Sequence, residues 1–169
     1  CQGVKFALIY CYTGLRPTEL LRIKNKNVFL DERYMLGGMK TTAGIDRVIP
    51  IAEKIYNFIE EWYNPDNEFL ITTSEGLHID KYDKLRYKFW ERSEVLKKMD
   101  HLPHDGRHTC ATKLDNADVP EIIIQKILGH ASKSITKKTY THKTIKQLID
   151  AINLILFFLL FLCGLLVMC

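Results

Sequence analysis

The sequence has no acidic residue over one long stretch near its carboxyl end. Between Ile122 and Ile149 there is no Asp or Glu, whereas six lysines lie there. The formal net charge of the whole chain is only +4, so the positive charge is concentrated in this stretch. Such a stretch attracts a polyanion, although a lysine cluster can equally form a solvated surface. The charge pattern leaves both interpretations open.

Charged residues are also missing from residues 154–169, which are rich in leucine and phenylalanine. A run this apolar needs to be buried somewhere. Its 16 residues fall short of the roughly 20 apolar residues that span a bilayer as a helix. Three interpretations stay open: burial against a partner chain, a membrane anchor, or a non-native end produced by an altered reading frame.

The sequence contains no internal repeat, no low-complexity linker and no seam rich in Pro, Gly or Ser. We therefore expect one domain over residues 1–153, followed by an apolar tail over 154–169. The five cysteines show no CxxC spacing, which favours a reducing, cytoplasmic location. The chain opens without Met or a signal peptide on an apolar helical pattern, so we expect it to be truncated at its amino terminus.

Apolar spacing and turn residues predict an α+β fold that is mainly α-helical, with a small antiparallel β-sheet or hairpin on one side. Pro17 and Pro120 stand where helices can begin, and Gly129 where one can end. The predicted strands are 34–40 and 47–51, which form the hairpin, and a short segment at 69–71. The predicted helices are 4–12, 17–23, 51–62, 82–99, 104–116, 121–128 and 143–153.

Five short motifs carry the residues that point to chemistry. They are Arg16 in GLRPTEL, Lys40 in MKTTAGIDRVIPI, His104 and Arg107 in HDGRHT, His130 in LGHAS, and Tyr140 in KKTYTH. In type and order, this set resembles the active-site series of the tyrosine recombinase, or phage-type integrase, family, including integrases of conjugative transposons. The resemblance covers roughly residues 3–153 and includes flanks without chemistry, such as 13–15 and 48–50.

The two arginines suit a reaction at a phosphodiester, because its transition state carries extra negative charge on the non-bridging oxygens. A guanidinium group stays protonated and can bind two oxygens at once. The resemblance implies that Arg16 and Arg107 clamp this phosphate from two segments. The alternative for Arg16 is a salt bridge with Glu19, one helical turn away.

The resemblance also assigns His104 and His130 to the active site, as groups that hold the phosphate or donate a hydrogen bond to it. His104 lies three residues from Arg107, so on a helix both would share one face. A competing interpretation pairs His104 with His108 as zinc ligands, although the glutamate of an HExxH motif is missing. For His130, the alternative is a histidine stabilised by the helix dipole at a helix end.

Tyr140 is the predicted nucleophile. A phenol has a pKa near 10 and needs a cationic pocket to stabilise the developing phenolate. The resemblance implies that Lys40, at the bend of the hairpin, is the general acid that protonates the departing 5′ oxygen. The alternative for Lys40 is a solvated lysine in a turn.

The resemblance implies a catalytic domain that cuts and rejoins double-stranded DNA through a 3′-phosphotyrosyl intermediate, without a cofactor, ATP or a metal ion. A homotetramer on DNA, with a separate amino-terminal domain in each protomer, would integrate or excise a mobile element. The rival functions are a type IB topoisomerase, an inactive DNA-binding remnant and a membrane-tethered interaction protein. The predicted DNA contacts are Lys126, Lys133, Lys137, Lys138 and Lys143.

Overall fold

The computed structural model describes residues 2–38, 47–99, 101–130 and 142–155. Helices make up most of this part of the chain, as the sequence predicts. The α-helices are α1 (Gln2–Thr13), α2 (Pro17–Leu20), α3 (Glu53–Trp62), α4 (Tyr82–Leu85), α5 (Glu94–Lys98), α6 (Asp105–Asn116), α7 (Glu121–Leu128) and α8 (His142–Asn153). A 3₁₀ turn at Asn25–Asn27 and a π-helical stretch at Arg86–Trp90 complete the helical elements.

Three short strands form one antiparallel sheet in the order β1 (Val28–Phe29), β2 (Tyr34–Gly37) and β3 (Arg47–Pro50). The pairing of β2 with β3 confirms the predicted hairpin, and Gly37 lies opposite Arg47 in the pair nearest to the connecting residues. All four residues of β3 are buried, because α7 and α8 pack against this strand. The first strand, β1, was not expected from the sequence.

Helix α1 lies at the centre of the core and packs against α6, α3 and the π-helical stretch. Its residues Ile9 and Tyr10 are fully buried. Gly106 allows the close approach of α6, because a Cβ atom there would lie 2.6 Å from the Tyr10 Cβ. The HDGRHT segment is thereby fixed against the helix that leads into GLRPTEL.

The prediction of one helix over residues 82–99 is wrong. The helix changes to π-helical turns at Arg86–Trp90, breaks, and resumes at α5. The Ser93 hydroxyl accepts a hydrogen bond from the Leu96 N–H at 3.4 Å and starts α5 as an N-cap. Trp90 turns inward and donates from Nε1 to the His101 carbonyl at 3.0 Å. The amphipathic spacing over residues 82–99 favours one continuous helix, but burial of the Trp90 indole favours the interrupted structure.

Two smaller predictions also need correction. Residues 69–71 form no strand and make only an isolated bridge between Lys24 and Phe69, because the Asn25 side chain occupies the Asn67 and Phe69 carbonyls. The predicted helix 17–23 ends earlier, at Leu20.

Helices α7 and α8 agree with their predicted bounds to within one residue. Gly129 ends α7 in the left-handed conformation, with φ of 68°, which glycine adopts without strain. Of the predicted tail, only Leu154 and Ile155 belong to the described part of the chain. No helix in that part has the length and apolar character needed to cross a membrane.

Candidate active site

Arg16 lies at the corner between α1 and α2. The Gly14 N–H donates to the Tyr10 carbonyl at 3.0 Å, and Gly14 has a φ of 60°, so the chain turns sharply there. Pro17 opens α2, where a residue without an N–H loses no hydrogen bond. This corner leaves the Arg16 side chain 40% exposed. The guanidinium group is therefore accessible to a ligand.

Glu19 holds Arg16 from within the same turn. Its buried carboxylate accepts the Arg16 backbone N–H at 2.8 Å and the Arg16 Nη1 at 3.1 Å. The alternative that the sequence left open, a salt bridge to Glu19, is therefore present. It occupies one side of the guanidinium group, which has five N–H donors. The salt bridge thus orients Arg16 and leaves donors for a phosphate.

Arg47 is the site residue that the sequence analysis missed. It is 1% exposed, donates from Nη2 to Glu19 Oε2 at 2.9 Å, and donates from Nη1 to the Ile127 carbonyl at 2.7 Å. Burial opposes ionisation of Glu19, but the nearby charges of Arg47 and Arg16 outweigh it and lower the pKa of that carboxyl. A signal was available: Arg47 heads the apolar run RVIPI, and a charge buried there requires a partner.

Arg107 lies in the first turns of α6 and is 5% exposed. Its Nη1 donates to the Gly14 carbonyl, whereas Nη2 has no hydrogen-bond partner among the residues that the structure describes. Burial lowers the pKa of Arg107, the charges of Arg16 and Arg47 lower it further, and Glu19 offsets part of this, leaving it at about 10. A bound anion would relieve this repulsion and satisfy the free nitrogen.

His130 follows the left-handed turn at Gly129, and its N–H closes the end of α7 by donating to the Gln125 carbonyl at 3.0 Å. The residue is exposed. Partial desolvation lowers the pKa of the ring, and the positive charges of Arg107 and Arg16 lower it further. Three predicted site residues on three different elements therefore act on one another electrostatically.

His104 is exposed and directly precedes α6, rather than lying inside the helix as the sequence suggested. Its carbonyl accepts the Arg107 N–H at 3.0 Å, so the two residues still bracket the first turn. The rings of His104 and His108 form a T-shaped pair, with centroids 5.1 Å apart. Within the described ranges, no group of three or more His, Cys, Asp or Glu side chains could hold a metal ion, so this pair has no third protein ligand there.

The remaining predicted site residues divide into two groups. Lys126 is partly buried on α7, and Lys143 is exposed at the start of α8. The others lie outside the described residues: Lys40, Lys133, Lys137, Lys138 and Tyr140.

Comparison with known proteins shows the family to which the chain belongs. Residues 4–147 match the sequence profile of the phage integrase family. The chain belongs to that family. Its relatives include tyrosine recombinase XerA of Pyrococcus horikoshii, which is 33% identical over 88% of this chain and 53% of the relative.

Two solved structures of integrases share the fold. The integrase from mycobacterium phage Brujita superposes with a TM-score of 0.65 at 16% identity, over 91% of this chain and 51% of that chain. The Tn1549 transposon integrase, solved in complex with transposon right end DNA, gives a TM-score of 0.57 at 22% identity, over 86% and 57%. The chain spans about half the length of the curated relatives it matches.

The electrostatic coupling predicts how the titration of His130 responds to a change at Arg16. Replacing Arg16 with Gln removes a positive charge that disfavours the protonated ring, so the pKa of His130 should rise. NMR titration of the histidine ring protons measures this shift. The control variant Lys24→Gln, at a lysine paired with Glu68, should leave it unchanged. An unaltered His130 titration in Arg16→Gln would show that the two side chains are not coupled.

Proposed function

We propose that this chain is the catalytic domain of a site-specific recombinase, which cuts and rejoins double-stranded DNA with Tyr140 as nucleophile. The observation that carries the proposal is the convergence of Arg16, Arg107 and His130 from three elements. These residues form a positively charged, partly buried site suited to a phosphodiester, in which Arg107 Nη2 has no hydrogen-bond partner among the described residues. The site would stabilise the charge that develops on the non-bridging oxygens.

Two observations support DNA as the substrate. The Tn1549 transposon integrase, which shares the fold, was solved bound to transposon DNA. The stretch between Ile122 and Ile149 has lysines and no acid, a charge pattern suited to contact with a phosphate backbone. We assign such contacts to Lys126, Lys133, Lys137, Lys138 and Lys143. Lysine contacts to phosphates position the protein without reading sequence.

The proposed reaction is an exchange of phosphodiester bonds. The Tyr140 hydroxyl oxygen attacks the phosphorus as its proton passes to water, a 3′-phosphotyrosyl bond forms, and the bond to the 5′ oxygen breaks. Lys40 protonates that departing oxygen, which becomes a free 5′ hydroxyl. Attack by the 5′ hydroxyl of a second strand reverses these steps and releases Tyr140. Since one phosphodiester replaces another, the exchange requires no ATP.

The side chains of the described site have distinct parts in this reaction. Arg16 and Arg107 bind the two non-bridging oxygens. Their positive charge stabilises the negative charge of the transition state without an added cofactor. His130 and His104 donate hydrogen bonds to the phosphate. We further propose that the intact enzyme acts in the cytoplasm as a tetramer on two DNA segments, with an additional amino-terminal domain, in integration or excision of a mobile element.

The proposal is tested by capture of the covalent intermediate. A duplex nicked close to the cleavage point loses its short 5′-hydroxyl fragment after attack, so the protein stays attached to the DNA. We expect the wild-type chain to form this adduct on denaturing gels and Tyr140→Phe to form none, since a phenyl ring has no nucleophilic oxygen.

The control for this capture experiment is Tyr87→Phe, which alters a tyrosine that is 66% exposed on the described surface. We expect this variant to form the adduct as the wild type does. An adduct that survives in Tyr140→Phe would overturn the assignment of the nucleophile.

A further inference from the structure

Arg47 contacts two segments that carry separate parts of the candidate site, and it directly follows a third in the chain. It is the first residue of β3, directly after the segment 39–46 that contains Lys40. One guanidinium nitrogen donates to Glu19, which orients Arg16, and another donates to the Ile127 carbonyl at the end of α7. That end of α7 leads through Gly129 to His130.

The geometry of these bonds requires an arginine. Nη1 and Nη2 donate in two directions to acceptors on two different helices, at 2.7 and 2.9 Å. A planar guanidinium group holds this fork rigidly, whereas a lysine ammonium group is a single point at the end of a flexible chain. The side chain is 1% exposed, as is that of Glu19, so water does not replace either bond.

The backbone at Gly129, next to His130, also packs against the Arg47 side chain. A Cβ atom at Gly129 would lie 2.6 Å from both Cδ and Nε of Arg47. The left-handed turn that ends α7 is therefore in close contact with the guanidinium group and its stem. A displacement of Arg47 would be transmitted directly to the residue before His130.

We propose that Arg47 is a positioning residue for strand cleavage, which fixes Arg16 through Glu19 and fixes His130 through the end of α7, so that both face one phosphate. This role rests on the proposed function of the site. Arg47 touches no substrate in this account. It acts by holding the distance between two groups that must bind the same phosphate, and small misplacements of such groups cost large factors in rate.

The test compares Arg47→Lys with Arg22→Lys, a matched change at an exposed arginine. We expect Arg47→Lys to keep the wild-type circular dichroism spectrum and to bind a DNA duplex within about threefold of the wild type, while adduct formation on nicked DNA slows by about 30- to 100-fold. Arg22→Lys should match the wild type in both. Wild-type adduct formation in Arg47→Lys, or an equal loss of binding and rate, would overturn the role.

Two further measurements keep the result decisive. If Arg47→Lys does not fold, the double variant Glu19→Gln/Arg47→Met, which removes both buried charges together, replaces it. Because Glu19 also holds Arg16 directly, the double variant is compared with Glu19→Gln alone. A folded double variant that cleaves as fast as Glu19→Gln overturns the role, and one at least 30-fold slower than Glu19→Gln supports it. If the wild-type chain forms no adduct, the proposed function fails, and amide hydrogen exchange decides the positioning role. The amide hydrogens of Arg16 and His130 should then exchange at least tenfold faster in Arg47→Lys than in the wild type. Unchanged exchange rates contradict the role.

Discussion

Arg107→Gln should reduce adduct formation on nicked DNA by about 1,000-fold while leaving the chain folded. The change removes the guanidinium group whose Nη2 has no hydrogen-bond partner among the described residues and which we assign to a phosphate oxygen. Stability should change little, because two effects oppose each other. The hydrogen bond to the Gly14 carbonyl is lost, but the repulsion from Arg16 and Arg47 that lowers the pKa of Arg107 is relieved.

Single-turnover cleavage and thermal unfolding, measured on the same preparations, check this prediction. Arg33→Gln is the matched control, since Arg33 stacks over the Tyr56 ring with its guanidinium carbon 4.9 Å from the ring centroid. It should retain wild-type cleavage. If Arg107→Gln cleaves normally, or loses cleavage only because it unfolds, Arg107 does not hold the phosphate.

Glu19→Gln should lower the free energy of unfolding by about 3 kcal/mol, the largest stability effect we expect in this site. The substitution leaves Arg47 as a buried charge without its carboxylate, and Glu19 is itself only 1% exposed. Cleavage should fall as well, because the carboxylate also holds the Arg16 side chain. Chemical denaturation measures the first effect and adduct formation the second.

The stability difference between wild type and Glu19→Gln should depend on pH. The pKa of Glu19 is lowered in the folded chain, so its ionised form stabilises the fold at any pH above its ordinary value of 4.5. This contribution is lost as the pH falls through the lowered pKa, and the two proteins should then become more alike. The control Glu68→Gln, at an exposed partner of Lys24, should remain close to the wild type throughout. A difference that stays constant down to strongly acidic pH would contradict the ion pair.

The sequence predicted the parts of the fold that depend on local signals. Pro17 and Pro120 start helices where expected, and Gly129 ends α7 where the end of a helix was predicted. The β2–β3 hairpin followed from two extended runs around a turn. The motifs also named Arg16, Arg107 and His130, which the fold brings into electrostatic contact.

What the sequence could not predict depends on contacts between distant segments. The amphipathic pattern over residues 82–99 predicts one helix, but burial of Trp90 and capping by Ser93 divide it. The role of Arg47 was missed for the same reason, because its partners are distant in sequence. Arg47 is 28 residues from Glu19 and 80 from Ile127 along the chain. No local pattern shows that one arginine joins these two helices.

The most direct test of the account is to map the protein–DNA linkage itself. The adduct formed by the wild-type chain on nicked DNA would be digested with a protease and a nuclease, and the nucleotide-bearing peptide identified by mass spectrometry. We expect a single modified residue, Tyr140, joined to the 3′ phosphate of a nucleotide. Linkage to another residue, attachment through a 5′ phosphate, or cleavage that leaves no linked peptide would contradict it.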